Sequence, residues 1–577
     1  MKKIKISISI IFAILLVLNG CQSESDFFDI KPKGSLGEDV LANEKGINTL
    51  LIGAYSMVDG VSGYDFDLNV SSINWVWGDV RAVIANKGTD AGDASGLNPI
   101  VRFEEPASNS YVNDKWKVYY DGISRVNAVV TVINKALEAG TITQEQGDLF
   151  LNQCRPLRGF FHMELVNNFD MVPYIDENTD HEALTNTEDI SDKIIADFQA
   201  GTNLPQNMTD IGRWNKTVCQ VFYAKALMQF KGDYAAAKTV LADVVANGVK
   251  PNGAAIGLAL TYGEIFDIVE RNGIESVYTV QASVNDGSGG LNGAHGALLN
   301  FPYKGGASPG GCCGFFQPSQ EYVNSFRTDE NGLPLPNFTY NDDPIKNDQG
   351  IDAADAFTPD AGNIDPRLDW SVGRRGIPYW DWGPHTGADW IRDQSYAGPY
   401  SPKKQVYKKS QEGVYTEVGG WTSGWTANGY RMIRYSEVLL LLAECQIETG
   451  ELDQALNNIN KIRERAANPD GFVKNEDGTP AANYVIGLYT SFANKDAATY
   501  ALRMERKLEL GMEGKRFFDL KRWGIAITET SRALTYEKTM PWGGPHYGSA
   551  TVGPEDIALP IPQRQIDLSN GMLVQNR

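Results

Sequence analysis

Residues 218–248 and 436–466 repeat one pattern: an apolar helix, a turn and a second helix. The turn is Gly232-Asp233-Tyr234 in the first and Gly450-Glu451-Leu452 in the second. Five residues after each glycine stands an alanine, Ala237 or Ala455, and nine after it a large aliphatic, Leu241 or Ile459. A small residue lets two helices approach, and the aliphatic fills the space between them. Such a hairpin keeps apolar faces that only neighbouring helices can cover. The pattern therefore points to a stack of helical hairpins.

This is the physical content of a tetratricopeptide repeat, whose period is about 34 residues. Two copies set so far apart imply degenerate ones between them; two unrelated hairpins are the plainer alternative. The rest of the chain has distinct textures. Residues 36–250 are mainly helical, with apolar residues three and four apart over 43–58, 112–140, 144–169 and 191–201. Residues 251–430 are dominated by Gly, Pro, Asn, Asp and Trp, which read as loops, short strands and turns. Helix returns over 431–525, and the tail to Arg577 is irregular. The expected fold is mainly α: degenerate tetratricopeptide-like hairpins with a loop-rich irregular half containing short strands.

The N-terminus reads as a processing signal. Lys2, Lys3 and Lys5 precede an apolar stretch from Ile6 to Leu18, which is short for a membrane span. Leu18-Asn19-Gly20-Cys21 resembles a bacterial lipobox, in which the cysteine is lipidated and anchors a soluble domain to a membrane surface. An ordinary secretory signal with an accidental cysteine is the alternative. Glu24, Asp26 and Asp29 resemble the acidic signals that send such lipoproteins to the cell surface in Bacteroidetes. The expectation is a signal peptide over 1–20 and one domain over 21–577.

The formal charge of the 577 residues is −20, and removing residues 1–20 with their three lysines takes it to about −23. That balance argues against a nucleic-acid partner, because phosphate binding needs clustered Lys and Arg. An acidic surface also serves plain solubility. Cys154, Cys219, Cys312, Cys313 and Cys445 form neither a disulfide framework nor a zinc pattern. Cys154, Cys219 and Cys445 sit in apolar helical patterns, as small buried hydrophobes do.

Several segments, taken in order, resemble the SusD/RagB family. They begin with Phe28-Asp29-Ile30-Lys31-Pro32, then Cys154-Arg155-Pro156-Leu157-Arg158-Gly159-Phe160-Phe161 and Asn168-Phe169-Asp170-Met171-Val172-Pro173. Asp365-Pro366-Arg367-Leu368 and Arg434-Tyr435-Ser436-Glu437 follow. Then come Glu505-Arg506-Lys507-Leu508-Glu509-Leu510, the run Gly514 to Gly524, and Pro560-Ile561-Pro562. The resemblance implies a SusD-like α-superhelix. It also implies a non-catalytic, lipid-anchored protein of the outer-membrane surface that captures oligosaccharide or polysaccharide. Such a protein caps a SusC-like TonB-dependent transporter. Some relatives are thought to handle peptides, so a peptide-binding uptake lipoprotein is the alternative. The basic cluster Arg503, Arg506, Lys507, Lys515, Arg516, Lys521 and Arg522, interleaved with Glu505, Glu509, Glu513 and Asp519, reads as ion pairs three and four apart on a helix.

Catalytic patterns do not emerge. His162, His181, His295, His385 and His546 are isolated, and there is no HExxH, GxSxG or phosphate loop. Carboxylates are too numerous for a glycosidase pair to stand out. No cofactor is implied.

Sugar binding needs flat apolar faces with polar groups that reach hydroxyls, carried on loops over a rigid scaffold. Three segments qualify. The first holds Trp75 and Trp77, which share a side if extended, followed by Asp90 and Asp93; the Asp-rich loop could instead hold calcium. The second, 285–317, is glycine-rich and ends in Cys312-Cys313-Gly314-Phe315-Phe316. Relatives often carry a Trp there, and the two cysteines are either free thiols or a vicinal disulfide forming a flat plate. The third holds Trp380, Trp382 and Trp390, with Trp421 and Trp425 beyond; it suits a ligand face or a transporter interface. For each aromatic, core packing is the plainer reading.

Overall fold

The computed structural model describes residues 37–61, 70–180, 184–303, 308–419, 422 and 424–577. The signal peptide, Cys21, His181 and Trp421 lie outside the described residues. No helix among the described residues is long and apolar enough to cross a membrane.

The helical half is built from well-capped amphipathic helices. Helix α1, Glu44–Tyr55, starts where the Asn43 side chain accepts from the Gly46 N–H. Helix α2, Ser110–Glu138, is capped by Asn109 and buries Val112, Trp116, Tyr119, Ile123, Val126 and Ile133 at helical spacing. Helix α3, Gln144–Phe169, opens on a capping box between Thr143 and Gln146. Helices α4 (Ser191–Gly201), α5 (Lys216–Ala226) and α6 (Tyr234–Asn247) follow. After the loop-rich half come α7 (Tyr435–Glu448), α8 (Leu452–Ala466), α9 (Lys495–Leu510) and α10 (Arg516–Arg522).

Each helix packs on its successor from α2 to α8, and α6 packs directly on α7. The two hairpins read from sequence are thus α5–α6 and α7–α8. Gly232 and Gly450 both adopt positive φ, 59° and 84°, where a side chain would be strained. Ala237, Leu241, Ala455 and Ile459 are fully buried. One expectation is corrected: among the described residues, no further helical hairpins stand between the copies. The degenerate ones precede the first, and the stack is continuous in space although interrupted in sequence.

The interruption returns to the stack through an antiparallel pair, β2 (Ser276–Val280) against β4 (Tyr430–Arg434), with β4 running straight into α7. A second pair, β1 (Ala85–Gly88) and β3 (Phe315–Pro318), links the N-terminal helices to the loop-rich half.

A buried ionic cluster locks the two halves together. Arg367 of Asp365-Pro366-Arg367 pairs with Asp365 at 2.7 Å, Glu505 at 2.5 Å and Glu509 at 3.2 Å. Arg434, at the start of α7, reaches Glu275 at 2.6 Å, Glu509 at 2.9 Å and Glu513 at 2.8 Å. Arg463 and Arg465 of α8 pair with Glu505 and with Glu275 and Glu509, and Lys404 pairs with Glu513. Five cations face five anions, nearly all without solvent contact, so charge is balanced where desolvation is most costly. The motifs scattered along the sequence therefore meet at one place. The basic run is also ion-paired, but mostly across elements: Arg506 with Asp519, Lys507 with Glu321, Lys515 with Glu437 and Arg522 with Glu444. Only Arg522 with Asp519 has the three-residue spacing expected on one helix.

The loop-rich half carries its own forked pair. Arg327 donates to both oxygens of Asp360, at 2.7 and 3.0 Å. Partial burial alone would raise this carboxyl, but Arg327 and the Lys346 and Gly362 amides bring it down to about 2. Its stabilising contribution is present above the ordinary carboxyl range near 4 and is lost as pH falls from there towards 2. Asp360→Asn should accordingly lower the melting temperature at pH 7. The deficit should shrink between pH 4 and pH 2 in paired thermal melts; an equal deficit at every pH would contradict this role.

Candidate ligand-binding site

Most of the sequence-derived aromatics turn inward. Residues 75–80 are not extended but form a helical turn with π spacing, in which Trp75 and Trp77 are 1% and 0% exposed. Trp75 packs on Phe315 and Phe316, with ring centroids 6.2 and 5.5 Å away, and Lys115 Nζ lies 5.7 Å from the Trp77 ring. The turn is drawn in by Asp79, which accepts from the Gly514 N–H at 2.7 Å. Gly78 allows this, because a Cβ there would sit 1.9 Å from the Gly514 carbonyl oxygen. Phe315 and Phe316 lie on β3 and are buried, as is Trp390 against Tyr379 and His385. These five residues are core, and burial takes them out of reach of a ligand.

The same packing brings the tips of all three loops together. Strand β1 pairs with β3 through Gly88↔Phe315, so Thr89 follows directly beside Gly314. The Thr89 N–H donates to the Gly314 carbonyl at 2.5 Å, and a Cβ on Gly88 would meet that same oxygen. Beyond this crossing, Asp90 and Asp93 reach the surface half-buried. Arg392 of the third loop contacts Asp90 at 2.8 Å, Asp93, and the Thr89 hydroxyl at 2.9 Å. Both carboxylates are therefore paired with one guanidinium. Arg392 lies 5.3 Å from the Tyr303 ring centroid, and the Tyr303 N–H donates to the Trp390 carbonyl. Lys87 Nζ holds the loop from below, donating to the carbonyls of Asp90 and Asp93 at 2.8 and 2.6 Å. Burial pulls this lysine down to about 8 against the pull of the two aspartates. Cys312 and Cys313 form a disulfide with a cis peptide between them, and Cys312 is half-buried.

Trp380 and Trp382 keep part of their rings exposed. Their indole N–H groups donate to the carbonyls of Lys403 and Tyr407, at 3.3 and 2.9 Å, which fixes the rings, and Lys408 Nζ and Lys409 Nζ lie over them, 5.4 and 5.9 Å from the Trp380 and Trp382 centroids. Trp380 tilts against Trp370, with centroids 5.0 Å apart. Both belong to one aromatic cluster with Phe301, Tyr379, Trp390 and Tyr407, which underlies the Tyr303–Arg392 edge as well. Trp425 is buried beside Leu298. The arrangement offers half-exposed rings, a guanidinium and two carboxylates on a rigid base. Flat faces can stack on the C–H side of a pyranose, and the charged groups can bond adjacent hydroxyls. Three histidines, His162, His385 and His546, are buried and pushed down to about 3 by that burial, so they stay neutral.

The sequence reading did not mark Tyr303, and it singled out the buried Trp390 where the nearby Arg392 is the half-buried group that reaches the edge. An aromatic after Pro302 in a glycine-rich loop was the available signal for Tyr303.

A family model described as the SusD family matches residues 274–577, more than half of the chain. The chain belongs to the SusD family. The matched span of this SusD-family chain includes Tyr303, Trp380, Trp382 and Arg392, whereas Asp90 and Asp93 precede it. SusD-like protein P2 of Formosa agariphila is 23% identical, over 90% of this chain and 91% of its own length. Among solved structures, a SusD superfamily protein from Bacteroides vulgatus aligns with a TM-score of 0.66 at 18% identity, covering 93% of this chain and 99% of that one. The surface glycan-binding protein A of Bacteroides thetaiotaomicron, solved with laminarihexaose, aligns with a TM-score of 0.66 at 20% identity, over 92% and 99%. The SusD fold thus extends over the helical and loop-rich halves alike.

Proposed function

We propose that this protein is a surface-exposed glycan-binding lipoprotein. It captures extracellular oligosaccharide or polysaccharide and delivers it to a SusC-like TonB-dependent transporter in the outer membrane, without catalysing a reaction. On this reading residues 1–20 are a signal peptide, Cys21 carries the lipid, and residues 21–577 act as one domain. The ligand face is the surface bearing Tyr303, Arg392, Asp90 and Asp93, extended by Trp380 and Trp382. The observation that carries the proposal is the convergence of three separate loops on that one half-exposed aromatic and charged edge. The laminarihexaose complex of the Bacteroides thetaiotaomicron protein and a laminarin-binding SusD-like protein of the same fold support a glycan as the ligand class.

Affinity gel electrophoresis against plant, fungal and host polysaccharides tests this. One glycan class should retard the protein. Tyr303→Ala, Arg392→Ala and Trp382→Ala should each weaken retardation about tenfold, the scale of one lost stacking or charged hydrogen-bond contact. Retardation by no glycan, with binding to a peptide mixture instead, would sink this reading in favour of peptide uptake.

A further inference from the structure

Helices α3, α5, α7, α9 and α10 converge on a cavity of about 80 Å³. At roughly 10–15 Å³ for each water-sized body, it has room for a small ion and a few waters. Phe160, Met163, Phe222, Leu441 and Phe518 supply an apolar wall. The charged lining is Lys225, Arg506, Lys515 and Arg522, set against Glu164, Glu437 and Asp519. Behind it, Lys115 faces Glu164 and Glu444 faces Arg522. Lys225, Gln229 and Arg522 are half-buried and mark the side nearest solvent.

The carboxylates of this lining are engaged, and the spare hydrogen-bonding capacity belongs to its cations. Asp519 accepts from Arg506 at 2.8 and 2.7 Å and from Arg522 at 2.9 Å. Glu437 is held between Lys225, at 3.2 Å, and Lys515. Glu164 accepts from Asn74 at 2.9 Å and Tyr119 at 3.2 Å. Arg506 spends both Nε and Nη2 on Asp519, so its Nη1 points away from that carboxylate. Arg506 is 2% exposed, and Nη1 meets no acceptor among the described residues. Lys225 commits one of its three N–H groups, and Lys515 two, the second to the Met432 carbonyl at 3.1 Å. Buried donors are almost always paired. A guanidinium N–H beside an apolar wall pairs best with an anion, because the low local dielectric strengthens a charge-assisted bond.

We propose that this cavity is a binding site for one small monovalent anion, a halide or a short carboxylate such as formate. Arg506 Nη1 is its hydrogen-bond donor, and Lys225 and Lys515 are the further cations that face it. The site is separate from the glycan face and does not depend on the glycan reading. A bound anion would join α9 and α10, which carry Arg506 and Asp519, to the α5–α7 seam that carries Lys225 and Glu437.

Anomalous scattering from crystals soaked in bromide at about 0.15 M, the physiological ionic strength, decides the matter. One bromide peak should stand in the cavity in contact with Arg506 Nη1. Adding formate to the soak separates the two sources: a peak that fades assigns the site to a carboxylate, and one that persists assigns it to a halide. Two variants leave the Arg506–Asp519 pair intact. Lys225→Met removes one facing cation while Glu437 keeps Lys515, and Gln229→Glu brings a fixed negative charge to the lining with little change of shape. In each, affinity read from peak occupancy against bromide concentration should fall at least about tenfold, the scale of one lost charged hydrogen bond. Water density with no bromide peak in the unaltered protein would overturn the proposal. So would a peak seen only at molar bromide, or one equally strong in both variants, since either marks an adventitious ion only.

Discussion

Replacing Arg434 by alanine should destabilise the protein by about 3–5 kcal/mol, the scale of breaking a buried pair by removing one partner. Against a typical total of about 5–15 kcal/mol, that is a large fraction. The guanidinium donates to Glu275, Glu509 and Glu513, and also to the Ser436 hydroxyl. Its loss leaves Glu513 with Lys404 and Glu275 with Arg465 as remaining ion-pair partners. Arg434→Lys keeps the charge but not the planar fork, so it should fall between wild type and alanine. Urea unfolding measures both. Arg125→Ala is the control, since its pair with Asp121 is about one-third exposed and of the kind worth under about 1 kcal/mol. Similar losses for Arg434→Ala and Arg125→Ala would show that the cluster does not hold the halves together.

Trp77→Ala should cost about 3–5 kcal/mol, as large-to-small changes of buried aromatics do. The side chain is fully buried among the first loop and α2. Trp382→Ala, by contrast, removes a partly exposed ring and should cost about 1 kcal/mol or less. The two variants should therefore separate. Trp77→Ala lowers the unfolding midpoint, whereas the folded fraction of Trp77→Phe retains wild-type glycan retardation. Trp382→Ala leaves the midpoint nearly in place and weakens retardation. A Trp77→Phe protein that melts normally yet no longer binds glycan would return Trp77 to the ligand site.

Helical features were legible because they are local. The Gly232 and Gly450 turns, the alanines five residues on and the caps at Asn43 and Thr143 each act within a few residues. Helices α3 and α4 occupy the bounds that apolar periodicity predicts, 144–169 and 191–201. The order in which the hairpins stack was not local. The juxtaposition of α6 and α7 spans almost two hundred residues of intervening loop, and nothing in either helix announces it.

The site shows the same division. Aromatic, acidic and glycine density marked Asp90, Asp93, the Cys312-Cys313 pair and the tryptophans of the third loop as candidates, and the structure brings Asp90 and Asp93 together with Arg392 while burying Trp390. Which rings remain exposed was not legible in that density. Trp75 and Trp77 read as a stacking pair only if the segment is extended, but the Asp79 carboxylate accepts from the Gly514 and Arg516 amides and coils it into the core. Arg392 and Tyr303 gain their place only because β1 pairs with β3 and because the Tyr303 amide meets the Trp390 carbonyl.

By itself the sequence determined the helical hairpins, the capped helix ends and the balance of charge, because spacing along the chain sets which side chains share a helix face. Only the tertiary structure decided which aromatics face solvent and which charges neutralise one another. Burial and pairing are properties of residues brought together from hundreds of positions apart, and no short stretch of chain encodes its distant neighbour.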